Sequence, residues 1–245
     1  MPKPSNPPPE SYAPGVGAPR PTPATAAQDR RSLRYLTVAV IIGLAGAVTE
    51  DAIDLLPSVQ SLVTATSTPS GAVVHLPSPW LWVALLGVGG ALAIAEILLI
   101  RLSFTGIRPV DSRFSAPASL SLLAVIGILV ALVGVALLLN GIYGAVACSG
   151  AGRPLTLSCL SRSGFLVGLV TLLVGALVGI IGYIGILIGI WRFGSRHEVS
   201  WFKGGVILLI FPLLNVVGAI LILLAAQKAL ERIGRDSSPP LAAVQ

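Results

Sequence analysis

The chain has 245 residues, 54% of them hydrophobic and only 11% charged, with a formal net charge of +6. Soluble domains carry about 25% charged residues, so this composition excludes an ordinary soluble domain and points to membrane helices. The sixteen Lys and Arg lie in short connections between apolar runs, which suits orientation in a membrane and contact with anionic headgroups rather than nucleic acid; two cysteines exclude a disulfide-rich scaffold or a four-cysteine zinc site.

Residues 1–34 read as a disordered tail. They hold nine prolines, including Pro7-Pro8-Pro9 and the alternating Pro19, Pro21 and Pro23, and almost no large apolar side chains. Such a segment buries too little surface to offset its ordering entropy. Arg30, Arg31 and Arg34 then precede an apolar run from Tyr35 to Val48. Basic residues before an apolar core resemble a secretion signal, but further spans follow, so an uncleaved first span over 35–56 is expected, stopped by Pro57.

Residues 57–79 form an external connection with no Lys or Arg. Its β-prone stretches, Ser61 to Thr66 and Ala72 to Leu76, flank the turn signal Thr68-Pro69-Ser70-Gly71 and predict a short hairpin. The second span, 80–100, opens with the interfacial anchors Trp80 and Trp82 and carries Glu96. The third covers 118–147. A second external loop follows, with Cys148 and Cys159 placed to form a disulfide in an oxidising exterior.

The fourth span, 164–191, has no charged residue and seven glycines. Gly168, Gly175, Gly182 and Gly189 are spaced by sevens, and with Gly164 and Gly179 they fall within an arc of about 80° on a 3.6-residue helix. Thr171 shares this face. A flat strip of small residues lets another helix approach closely in lipid. Packing within the chain and an interface to a second copy or a partner subunit both fit the pattern. The fifth span, 204–226, is interrupted by Pro212 and followed by Asn215. Pro212 takes the helical donor from the Leu208 carbonyl. Residues 237–245 read as a loose tail.

With the N-terminus inside, five spans place eleven Lys and Arg inside and five outside, so the C-terminus is expected outside, although Lys228, Arg232 and Arg235 fit that side poorly. Candidate proton or ion groups are Glu50 and Asp54, four apart on one helical face; Glu96, an acid inside a span, within reach of Arg101; and the Pro212 and Asn215 discontinuity. No catalytic motif is present, the two histidines fall on opposite sides, and no span offers a haem ligand, so neither enzyme activity nor a cofactor is expected.

Two stretches, RLSFTGIRPVDSRFSAPASL from Arg101 and GILIGIWRFGSRHEVSWFKGGVILLIFPLLNVVGAILILLAAQKA from Gly185, resemble the archaeal, chiefly crenarchaeal, membrane proteins grouped as domain-of-unknown-function family 973. The resemblance implies an archaeal cell membrane and carries no activity and no site residues. The expected architecture is all-α: a polytopic bundle of about five helices, acting as a structural or accessory membrane subunit, homo-oligomeric or bound to a partner, or else as a small ion, proton or solute transporter.

Overall fold

The computed structural model describes residues 23–54, 65–68, 71–74, 79–149 and 164–236. Six helices follow one another: α1 (Pro23–Asp54), α2 (Pro79–Ile107), α3 (Ser115–Ser149), α4 (Phe165–Arg196), α5 (Ser200–Leu209) and α6 (Asn215–Asp236). Between α1 and α2 lies a small antiparallel hairpin, β1 (Ala65–Thr68) with β2 (Gly71–Val74), in register from Ala65 opposite Val74 to Thr68 opposite Gly71. The fold is all-α apart from this hairpin. Three helical stretches, Ala84–Ile107, Ser112–Ala145 and Phe165–Arg196, are long and apolar enough to cross a membrane by length and composition.

The helix ends follow local chemistry. Pro79 opens α2, where its missing N–H costs nothing, and Arg108-Pro109 closes it. Asp111 caps the 3₁₀ turn Ser112–Phe114 by accepting from the Arg113 N–H at 3.1 Å, and α3 follows directly. Pro117 sits within the first turn of α3, where a proline is tolerated. Past α4, Glu198 adopts φ 53° and turns the chain into α5.

Two sequence expectations are corrected. The tail does not extend to residue 34: α1 begins at Pro23, and Asp29, Ser32 and Leu33 are buried against α2, α4 and α6. Their burial supplies the ordering energy that composition alone withheld. Nor is 204–226 one continuous helix. α5 runs only ten residues, the chain turns through Pro212–Leu214, and α6 returns antiparallel against it. Gly205 and Gly218 make this return tight: a Cβ on Gly205 would lie 2.9 Å from the Gly218 carbonyl oxygen, and one on Gly218 would lie 2.8 Å from that of Gly205.

The ends of α1 and α6 therefore share one end of the bundle. There Arg30 donates to the Ile233 carbonyl at 3.2 Å, and Arg232 donates to that of His197 at 3.2 Å. The core is concentrated at the same end. Phe104, Phe114, Phe193 and Phe202 form one aromatic cluster with neighbouring centroids 5.1–6.2 Å apart, joined by Leu33, Leu36, Ile107, Ala226 and Ala229.

Candidate functional site

The glycine strip of α4 lies against α3. A Cβ at Gly168 would sit 2.8 Å from the Leu138 Cα, one at Gly175 2.8 Å from the Ala131 Cα, and one at Gly182 2.6 Å from the Ala124 Cβ. Each step of seven up α4 is a step of seven down α3. The partner helix answers with its own glycines at the same interval. A Cβ on Gly127 would meet Gly179, one on Gly134 would lie 2.7 Å from the Leu172 Cα, and one on Gly141 2.8 Å from the Phe165 Cα. Gly127, Gly134 and Gly141 went unremarked in the sequence, although their spacing is the same signal. Gly189 departs from the seam by making room for the Phe104 ring. Gly164 is not part of it: it precedes α4 at φ 76° with nothing within 4 Å of a Cβ there. Thr171 bonds within its own helix, donating to the Val167 carbonyl at 2.8 Å, because a helical threonine reaches its i−4 carbonyl more readily than a neighbouring chain.

A cavity of about 200 Å³ lies where α1, α2, α4, α5 and α6 meet, and its lining is apolar except for Glu96, Tyr183 and Asn215. Gly43 on α1 admits the Glu96 carboxyl, since a Cβ there would lie 2.6 Å from its Cδ. The Tyr183 hydroxyl donates to the Leu209 carbonyl at 3.0 Å, at the last turn of α5. Asn215 opens α6. Glu96 and Asn215 are thus brought together from opposite halves of the chain, and Tyr183 joins them unannounced by sequence.

Other expectations change. The Leu208 carbonyl is not freed by Pro212, because the Phe211 N–H reaches it at 3.1 Å in a tighter turn. Glu96 makes no ion pair with Arg101 among the described residues. Five residues on a helix rotate by about 140°, which points the two apart. Glu50 and Asp54 lie in the last turns of α1, but their side chains fall outside the described residues, as does the pair Cys148 and Cys159.

A polar network closes the basic end. Arg196 places one nitrogen 3.1 Å from both oxygens of the buried Asp29 and another 3.6 Å from Asp111. Asp111 also takes Arg113 at 2.8 Å, and this bond holds its carboxyl below the usual range. Arg192 donates to the Arg113 carbonyl, and Gln28 to that of Gly106. Burial pushes the neighbouring His197 imidazole down to about 4; Asp29 opposes this and Arg196 adds to it. Lys203 and Lys228 stand over the Trp191 and Trp201 rings at 5.6 and 5.1 Å. These residues join α1, the α2–α3 turn, α4, α5 and α6; Arg192 to Lys203 stands out in the sequence as basic side chains beside aromatic rings, whereas Asp29 and Asp111 do not.

Comparison with curated proteins and with solved structures returned no match. A family model described as "Protein of unknown function (DUF973)" matches residues 28–243, and the chain belongs to that family.

Proposed function

We propose that this is a multi-pass membrane protein crossing the bilayer through the second half of α1, α2, α3 and α4, with α5 and α6 forming a hairpin that enters and leaves on one side. The outward side of α4 supports a lipid surround: Leu166, Val170, Leu173, Leu177, Ile181 and Ile188 are all exposed and form an apolar strip along its length. An exposed apolar surface of that extent exceeds what a water-soluble monomer shows. The charge pattern supports the same arrangement. All twelve Lys and Arg among the described residues fall at the end where the start of α1 meets the end of α6. By the positive-inside rule that end is cytoplasmic, which removes the misfit of Lys228, Arg232 and Arg235. A reporter fused after Gln245 is expected to be active in the cytoplasm, and activity outside would overturn the hairpin topology.

The function best supported is non-enzymatic uptake of a proton or small monovalent cation at Glu96. One observation carries it: a carboxyl, a phenol and a side-chain amide converge in a cavity that five helices share, with no Lys or Arg among its lining residues. Acids at membrane depth are costly and cluster on ion and proton paths. Broken helices beside them are the usual companions of such sites. The reading as a structural or accessory subunit drew on the glycine strip and on sparse intramembrane charge, and the strip packs against α3 within the chain, which leaves it no outward surface for a partner. Purified protein in liposomes is expected to move protons or sodium down an imposed gradient. Glu96→Gln should reduce the flux at least about tenfold, a loss of roughly 1.4 kcal/mol or more in effective binding or barrier, with the unfolding midpoint little changed. Absence of flux from the unaltered protein, or equal flux from the variant, would sink this reading and return the subunit role to the front.

A further inference from the structure

The cavity around Glu96 has a closed floor and a side opening. Ile100, Ile186, Ile190 and Ile222 build the floor, each at most 5% exposed. The exposed lining residues are Tyr183, Asn215 and Val216, on α4 and α6, so the opening lies between those two helices. Tyr183 precedes Trp191 by eight residues. That is about 12 Å along α4, which on the topology proposed above puts the opening inside the hydrocarbon. A hydrated metal ion does not travel that way. An amphiphile dissolved in the bilayer does.

The lining also sorts ligands by chemistry. Glu96 brings one negative charge with no ion-pair partner among the described residues, so a matching ligand carries one positive charge. Oxygens are too few for a hard metal cation, which gathers about six or more. The carboxylate gives two and Asn215 one, while the Tyr183 hydroxyl is already bonded to the Leu209 carbonyl. The remaining lining is aliphatic or glycine. A proton satisfies the charge but leaves about 200 Å³ of apolar-walled space unfilled. A lipid acyl chain suits the walls and offers nothing to the carboxylate. The volume lies below the roughly 300–1,000 Å³ of pockets for drug-sized molecules, so the ligand is compact.

Resting on the reading of Glu96 given above and naming its substrate class, we propose that the cavity binds a compact organic monocation, an ammonium ion with an aliphatic body, in exchange for the Glu96 proton. The alkyl groups meet the isoleucine floor, and the charge meets the carboxylate. Tyr183 adds an aromatic ring to the lining, a second attraction for a quaternary nitrogen. The site holds either the proton or the cation and stays neutral; the displaced proton leaves to water.

The test reads binding rather than flux. Full-length protein in detergent is titrated calorimetrically with tetraethylammonium chloride and, separately, with sodium chloride. Tetraethylammonium is expected to bind at least about tenfold more tightly than sodium, and Glu96→Gln to lose at least about tenfold of that affinity. Affinity should fall with falling pH, because protons take the same carboxyl; Tyr183 is the one other titratable group among the lining residues. A readout without any variant is the unfolding midpoint of the unaltered protein, which tetraethylammonium should raise and an equal concentration of sodium should not. Equal affinity for the two cations, equal affinity in Glu96→Gln, a flat pH dependence or no binding of tetraethylammonium overturns the proposal. Binding that follows this pattern in a protein without proton flux supports the site and removes the transport reading instead.

Discussion

Gly175→Leu is expected to cost about 3 kcal/mol or more and to lower the unfolding midpoint of the detergent-solubilised protein by roughly 10 °C. The position sits where two backbones touch. A single Cβ would lie 2.8 Å from the Ala131 Cα and 2.9 Å from the Gly127 carbonyl oxygen, and neither neighbour is a flexible side chain that can swing aside. The helices must separate or slide. Sliding is blocked because the same spacing recurs at Gly168 and Gly182 above and below, and a shift that relieves one contact worsens the others. Leu177→Ala, two residues on, tests the contrast. Leu177 is 64% exposed, and its truncation should stay within about 0.5 kcal/mol. Thermal unfolding followed by thiol-reactive dye or by scattering reads both variants. Matching midpoints for the two would show that the seam does not hold α3 to α4.

Arg196→Ala is expected to destabilise by about 3 kcal/mol, because it leaves a buried carboxylate without its counter-ion. Asp29 is 7% exposed, and Arg196 reaches both of its oxygens. Asp111 suffers less, since Arg113 still holds it at 2.8 Å. The loss should therefore concentrate at the junction of α1 with α4. Limited proteolysis ought to open the chain near residues 23–34 before any other described segment. Arg196→Lys should recover little, since one ammonium does not match the planar fork that spans Asp29 and Asp111. Asp29→Asn should be milder than Arg196→Ala, because Arg196 keeps Asp111 within 3.6 Å. A protease pattern identical to that of the unaltered protein would mean the network is not what anchors α1.

How much of this was readable beforehand varies by element. The α4 strip was legible because small residues recur at a helical interval within one run. Its partner was equally legible in principle: Gly127, Gly134 and Gly141 repeat at sevens, and matching intervals in neighbouring spans announce a mutual seam. The start of α1 was not legible. Residues 23–34 have no apolar periodicity of their own, and their helix is held by Asp29, Ser32 and Leu33 finding partners far along the chain. Pro212 was visible as a break, but the apolar run around it has the length of a full crossing. Only the tight fit of Gly205 against Gly218 shows that the chain doubles back. The cavity depended on that reversal. Without it, Asn215 has no reason to stand near Glu96, 119 positions earlier, and Tyr183 looks like one more residue of a lipid-facing helix.

The contact between α1 and α6 joins the first and last helices among the described residues. A ribosome delivering this chain can zip α3 to α4 as soon as the latter emerges, since they are neighbours in synthesis order. The groove beside Leu33 and Leu36 stays open until α6 is released. A product terminated before α6 would display that unsealed face of α1 to surveillance proteases.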